Sequence, residues 1–428
     1  MMCRQMGNSF ELPAALLGAA AAIAVAQPQV AVALTVREVS NVAEKITVLI
    51  DGEVPGSGVI VARDGNTYYV LTAKHVAERA GEYKAVTPDG RRYPISSSTV
   101  QKLPDADLAV FQFTSKKDYQ IATFADYNLA GEQFVFVSGW PAPSRAVKNR
   151  ARVLSFGKLI PPVMLHLLSA APFGEGSQGY ELLYTSITQN GMSGGPVLDT
   201  GGRVIGIHGG EEGEVIYNEI NTGSPPLKIG FSLGMSTGTF LLAARKAGLA
   251  AKLKVEKSPP EPISLEEIGE LYLTSLEMPD VRNTDAVYWA DRGNKMLRLG
   301  QLAMASSAYD RALEINPNFY QAWYGKGLML TYWKKYQEAI AAYDRALGII
   351  ERQLQTETEP NLRDKLQKVG DNVIQLRGNL QQELGLSTPP AGQSRTAEPE
   401  DWIVPGLCGT DSAECPPPEV EPVPPPLW

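Results

Sequence analysis

The chain has 428 residues and a formal net charge of −8, with 39 Lys and Arg set against 47 Asp and Glu. That length exceeds one ordinary core and points to two or three domains. With no Lys/Arg tract there is no electrostatic footprint for nucleic acid, so no DNA or RNA partner is expected.

Leu12 to Ala26 is an apolar run followed by Gln27-Pro28-Gln29 and a second patch at Ala31-Val32-Ala33. It is too short and too soon interrupted to make a stable membrane span. Residues 1–33 therefore read as an export signal, with small residues for cleavage at Ala24 and Ala26 or at Ala31 and Ala33; an uncleaved anchor is the alternative. Cys3 would leave with that segment, and Cys408 and Cys415 remain as an even pair that could close a small disulfide loop. Neither has a metal-ligand partner at the right spacing, and no metal or cofactor is called for.

From Lys45 to about Gly234 the chain is a series of short β-rich runs, among them Ile46–Ile50, Gly58–Ala62, Tyr68–Thr72, Leu108–Phe113, Phe134–Val137 and Val204–Ile207. Asp64-Gly65-Asn66 marks a hairpin between two of them. The absence of long amphipathic helices between the runs indicates a barrel or sandwich, with a helical close at Thr239–Ala247. We assign residues 40–252 to this all-β domain and residues 253–284, with Pro259, Pro260 and Pro262, to a linker.

The next segment repeats itself. Trp289 and Trp323, Gly293 and Gly327, Ala305 and Ala339, Tyr309 and Tyr343, and Ala312 and Ala346 are each offset by 34, and Tyr-Asp-Arg-Ala-Leu recurs at 309–313 and 343–347. Pro317 ends the first unit. This period and residue set resemble the tetratricopeptide repeat, which implies paired helices over 285–351 and binding of a protein partner. Leu362, Leu366, Val369, Val373, Leu376, Leu380 and Leu384 then form one helical stripe ended by Gly385, a capping helix within 352–386. Residues 387–428 are proline-rich and are not expected to pack.

The chemistry concentrates at Gly191-Met192-Ser193-Gly194-Gly195-Pro196, preceded by His75 at the end of an apolar run and Asp107 at the start of another. Acyl transfer needs a nucleophile, a base, a carboxylate to fix the base's tautomer and donors for the oxyanion. Ser193, His75 and Asp107 supply the first three, and the amides of Gly191 and Ser193 the fourth. Asp105 and His166 fit the pattern less well, His166 lying among leucines with no carboxylate near it in sequence.

Across roughly Lys45 to Leu249 these motifs resemble the chymotrypsin-like (trypsin-fold) serine endopeptidases, whose triad runs in the order His, Asp, Ser. The resemblance implies two six-stranded barrels with the triad in the cleft between them, and polypeptide substrates. Met192 stands where activated trypsins carry Asp, so the pattern is closer to exported bacterial relatives, periplasmic or secreted. Ile187 stands where trypsins carry a carboxylate, which disfavours cleavage after Lys or Arg. Thr188 and His208 also resemble the pocket of glutamyl endopeptidases and would favour cleavage after Glu; lining a small polar pocket is the alternative. The expected architecture is thus multidomain, an all-β double barrel followed by all-α repeats. The leading reading is an exported serine endopeptidase, and its rival is a retired protease domain in a repeat-based adapter.

Overall fold

The computed structural model describes residues 33–386 apart from 79–80, 130–132, 144–149, 171–177, 212–213, 217–226, 250–251, 265 and 270–284. The run Leu12 to Ala26, the three cysteines and the proline-rich end lie outside the described residues. Among the described residues, no helix is long and apolar enough to cross a membrane.

The described chain opens with a helix that sequence reading did not anticipate, α1 (Val36–Ile46). Thr35 caps it by accepting from the Glu38 amide while the Glu38 carboxylate accepts from the Thr35 amide, so two orphan donors are satisfied at once. Val39, Ala43 and Ile46, at helical spacing, form its buried face.

Seven strands follow: β1 (Thr47–Asp51), β2 (Gly56–Asp64), β3 (Thr67–Ala73), β4 (Tyr83–Val86), β5 (Arg92–Ile95), β6 (Gln101–Lys102) and β7 (Leu108–Thr114). They form one antiparallel sheet in the order β5-β4-β1-β2-β3-β7-β6. It curls until Tyr93 of β5 stacks on Phe113 of β7, with ring centroids 4.7 Å apart. The two-residue alternation of a strand explains the layering. Tyr68 and Val70 of β3 and Phe111 and Phe113 of β7 fill the inside of this sheet. Their neighbours Tyr69, Leu71, Leu108 and Val110 face outward into a second core, shared with the next sheet.

That second sheet comprises β8 (Thr123–Ala125), β9 (Phe134–Gly139), β10 (Val153–Lys158), β11 (Tyr180–Tyr184), β12 (Pro196–Leu198), β13 (Val204–Glu211), β16 (Ser232–Ser236) and β17 (Lys254–Glu256), with β14 (Glu214–Ile216) and β15 (Leu227–Ile229) as a separate hairpin. Its main path is β10-β9-β12-β13-β16-β11, and a bridge between Leu159 and Tyr184 brings its two ends together. Six strands therefore close on themselves, as expected for a barrel. Helix α2 (Leu165–Leu168) lies between β10 and β11, and α3 (Thr237–Lys246) follows β16.

The stretch read as a linker is in part pinned to this barrel. Strand β17 adds to β8, and the Arg203 guanidinium donates to the Ser258 carbonyl at 2.7 Å while pairing with the buried Asp199 carboxylate at 2.8 Å.

Five helices complete the described chain: α4 (Ala286–Arg298), α5 (Leu302–Ile315), α6 (Tyr320–Tyr332), α7 (Tyr336–Thr356) and α8 (Pro360–Glu383). The 34-residue offset becomes a packing rule. The Tyr309 ring lies over Gly293 and Gly325, where an added Cβ would approach to 2.9 Å, and the Tyr343 ring lies over Gly327, where it would approach to 2.3 Å. Gly385, at φ +65°, ends α8, with the Leu386 amide donating back to the Gln381 carbonyl.

The repeats are not a tethered appendage. Ile160, Leu168, Leu183, Ile229, Phe231 and Leu233 of the second barrel belong to one hydrophobic core with Trp289, Leu297, Leu328 and Tyr332 of the helices. Asn379 of α8 donates to the His166 carbonyl at 2.6 Å, and the Thr185 hydroxyl donates to the Arg298 carbonyl at 3.4 Å.

Candidate active site

Strand register brings His75 and Asp107 together. Ala73, the last residue of β3, pairs with Leu108, the first of β7, so His75 and Asp107 sit just past adjacent strand ends. The Lys74 amide donates to the Asp107 carbonyl at 2.9 Å, the His75 amide to Asp107 Oδ1 at 3.0 Å, and His75 Nδ1 lies 2.7 Å from Asp107 Oδ2. This carboxylate is almost fully buried while the imidazole is 40 % exposed, so one side of the pair is anchored and the other is open. Burial alone would raise the Asp107 pKa. The hydrogen bond and charge of His75, together with the hydroxyl of Tyr180, overcome it and hold the carboxyl below the usual Asp range. Asp105 lies apart from this cluster, exposed and paired with Lys246, and His166 faces Glu383 of α8.

The serine loop is carried to the same place by Ser57 of β2. The Ser57 amide donates to the Ser193 carbonyl at 2.8 Å, and its hydroxyl donates to the Gly191 carbonyl at 2.9 Å. Because Thr72, next to the end of β3, donates to the Ser57 carbonyl at 2.7 Å, the loop is tied to the strand that leads to His75. Gly191 has φ +94° and Gly194 φ +87°, conformations a side chain rarely adopts. With both carbonyls taken by Ser57, the amides of Gly191 and Ser193 donate to no described group. Two amides two residues apart and with no acceptor among the described residues are suited to a negatively charged oxygen.

The Ser193 hydroxyl itself donates to the Gly209 carbonyl at 3.1 Å rather than to the imidazole. Gly209 lies at a register shift in the β13–β16 ladder, between the pairs His208–Gly234 and Gly210–Leu233.

Thr188 and His208 are both buried against β16. The Thr188 and Ser232 hydroxyls are 2.8 Å apart. His208 Nδ1 is 2.7 Å from the Tyr184 hydroxyl and 3.2 Å from the Leu233 carbonyl, and that hydroxyl is 3.1 Å from the same carbonyl. A single phenolic proton serves this triangle best if Nδ1 carries a hydrogen, so that both oxygens hydrogen-bond at once.

Sequence reasoning missed two residues of this cluster, Ser57 and Tyr180. Tyr180 opens β11 and donates to Asp107 Oδ2 at 2.7 Å. Gly209 carried a signal for it, since a glycine inside a strand marks a close approach; a Cβ there would lie 2.4 Å from the Tyr180 ring.

Fold and comparison agree on the class. Residues 56–207 match the trypsin-like peptidase domain, and residues 293–319 and 308–341 match tetratricopeptide repeats, so the chain carries a trypsin-like domain followed by helical repeats.

Among curated relatives, the serine protease Do-like HtrA of Bacillus subtilis is 30% identical over 155 residues, which is 36% of this chain and 32% of that protein. A probable periplasmic DegP-like serine endoprotease of Chlamydia trachomatis is 30% identical over 157 residues, 36% of this chain and 28% of that one. A serine endoprotease structure from Yersinia pestis is similar at 18% identity and TM-score 0.36, covering 50% of this chain and 66% of that chain. The chain thus spans about a third of the length of the first of these relatives.

Proposed function

We propose that this chain is an exported serine endopeptidase, with residues 1–33 as its export signal, 40–252 as its peptidase domain and 285–386 as a repeat domain with its cap. Ser193 Oγ attacks the scissile carbonyl carbon as its proton passes to His75 Nε2. Asp107 holds the Nδ1 hydrogen throughout, and the amides of Gly191 and Ser193 receive the oxyanion. The imidazolium then gives its proton to the departing amine, leaving an acyl-enzyme. Water, deprotonated by the same imidazole, releases the acid and restores Ser193. The observation that carries this reading is the 2.7 Å contact of His75 Nδ1 with a buried carboxylate, together with two amides that have no acceptor among the described residues. In this reading the Ser193 hydroxyl turns from the Gly209 carbonyl to the imidazole before it attacks.

For the residue before the cut, we favour Glu, held by the His208 imidazole and the Thr188 hydroxyl; Lys and Arg have no carboxylate at Ile187 to meet. The repeats serve first as an intramolecular dock for the second barrel. An external polypeptide partner would meet the outward faces of α5, α7 and α8, which carry their exposed residues.

The resting contact of Ser193 with Gly209 is the one observation that favours the rival reading, a retired protease domain in an adapter. A fluorophosphonate probe separates the two. Labelling that disappears in Ser193→Ala, together with peptide-library cleavage enriched in Glu before the cut, is the expected result. No Ser193-dependent label would leave the adapter reading standing, and enrichment of Ala or Val would reduce Thr188 and His208 to pocket lining.

A further inference from the structure

We infer that Tyr180 is a positioning residue for the charge-relay pair, setting the carboxylate of Asp107 against His75 from the opposite barrel. This rests on the triad reading above.

Its hydroxyl donates to Asp107 Oδ2, the same oxygen that faces His75 Nδ1, and both contacts are 2.7 Å. The backbone of the same corner holds the same residue, because the Asp107 amide donates to the Gln178 carbonyl at 2.8 Å. Gln178 and Gly179 take the left-handed conformation in succession, at φ +54° and +84°. For Gln178 that is a strained conformation, retained where it turns the chain back onto Asp107. The corner is also fitted to its target: a Cβ on Gly179 would come within 3.3 Å of Ala106, the residue before Asp107.

The hydroxyl end of the ring passes over β13 at Gly209. A Cβ on Gly209 would sit 2.4 Å from the Tyr180 ring and 2.5 Å from its hydroxyl, so only glycine lets the phenol through to Asp107. The carbonyl of that same glycine is the acceptor of the Ser193 hydroxyl. One side chain therefore spans from the residue that orients the base to the residue that receives the resting nucleophile. A core tyrosine placed only for packing would not need its oxygen there. Burial and the adjacent Asp107 charge both push the phenol's pKa up, so it stays a donor at every pH where the triad can work.

Among the described residues, the Asp107 side chain is met by His75 and Tyr180 alone. Removing the phenolic donor concentrates negative charge on the carboxylate, which then favours the protonated imidazole. The base becomes neutral only at higher pH, so the acidic limb of the kcat/KM profile moves up.

The test is Tyr180→Phe in the full chain, which keeps the ring and its packing. Expected are a kcat about tenfold lower, the loss fitting one hydrogen bond to a charged group, an unchanged KM, and an acidic limb displaced to higher pH. Fluorophosphonate labelling should slow in step, with a melting temperature close to that of the parent. Parent-like kcat and pH profile in Tyr180→Phe, while Ser193→Ala abolishes labelling, would overturn this assignment and leave the protease reading intact. Absence of Ser193-dependent labelling in the parent chain would overturn both.

Discussion

Gly194 illustrates how narrowly the serine loop is specified by single atoms. Its φ of +87° is costly for any side chain, and a Cβ there would lie 2.1 Å from the Ser57 carbonyl oxygen and 2.2 Å from Thr72 Oγ1. Neither neighbour can retreat freely, because Thr72 Oγ1 and the Ser57 carbonyl are hydrogen-bonded to each other between two paired strands. Backbone strain and overpacking add, so Gly194→Ala should cost about 3 kcal/mol or more. Urea unfolding of the variant checks this, and a midpoint equal to the parent's would show the loop to be more forgiving than its geometry implies. The motif's glycines were legible in sequence; Ser57, which holds the loop in place, was not, because nothing local marks a serine whose partners lie 134 and 136 residues away.

At the scale of elements, the repeat offers an internal comparison. Gly300, at φ +74°, makes the turn between α4 and α5, and the residue 34 positions later, making the corresponding turn between α6 and α7, is Lys334 at φ +63°. A lysine in that region carries a penalty that glycine avoids, so Lys334→Gly should stabilise the chain by roughly 0.5–1 kcal/mol, net of the greater freedom of unfolded glycine. A higher urea midpoint is the expected observation, and a lower one would mean that the Lys334 side chain contributes more than its backbone costs.

The strands, the paired helices and the capping helix were readable because each carries its own periodicity, two residues for β3 and β7 and three or four for α8. Of the α8 stripe, Leu366, Val369, Val373, Leu376 and Leu380 are buried while Leu362 is half exposed, since it precedes the part of the helix that packs. Helix α1 was hidden by its polar composition. Strand β17 was hidden by its length, three residues whose order comes from pairing with β8 rather than from any local preference. The Tyr180 contact was hidden because it depends on where the other barrel ends.

For the whole molecule, α6 is the informative element. Tyr320, Ala322, Tyr324, Leu328, Met329, Leu330 and Tyr332 are all buried, on every side of the helix. A helix that is apolar all round must be covered all round. Helices α5 and α7 cover one side, and β15 and α2 of the second barrel cover another. The repeats and the barrel therefore share one core, and the shared wall is the one that carries Ser232 and Leu233, the partners of Thr188 and His208. A chain ending at residue 284 would leave Ile229, Phe231, Leu233, Leu183, Ile160 and Leu168 facing water. An exposed apolar patch of that kind drives association. We expect the truncated chain to aggregate on expression, and the full chain to melt in a single transition. In the full chain, Trp289→Ala should lower stability by about 3–5 kcal/mol, because it opens a cavity in the core that the repeats share with the second barrel. A soluble, monomeric truncation with the parent's cleavage profile would show that the barrel needs no such support, and the repeats would then be a separable module.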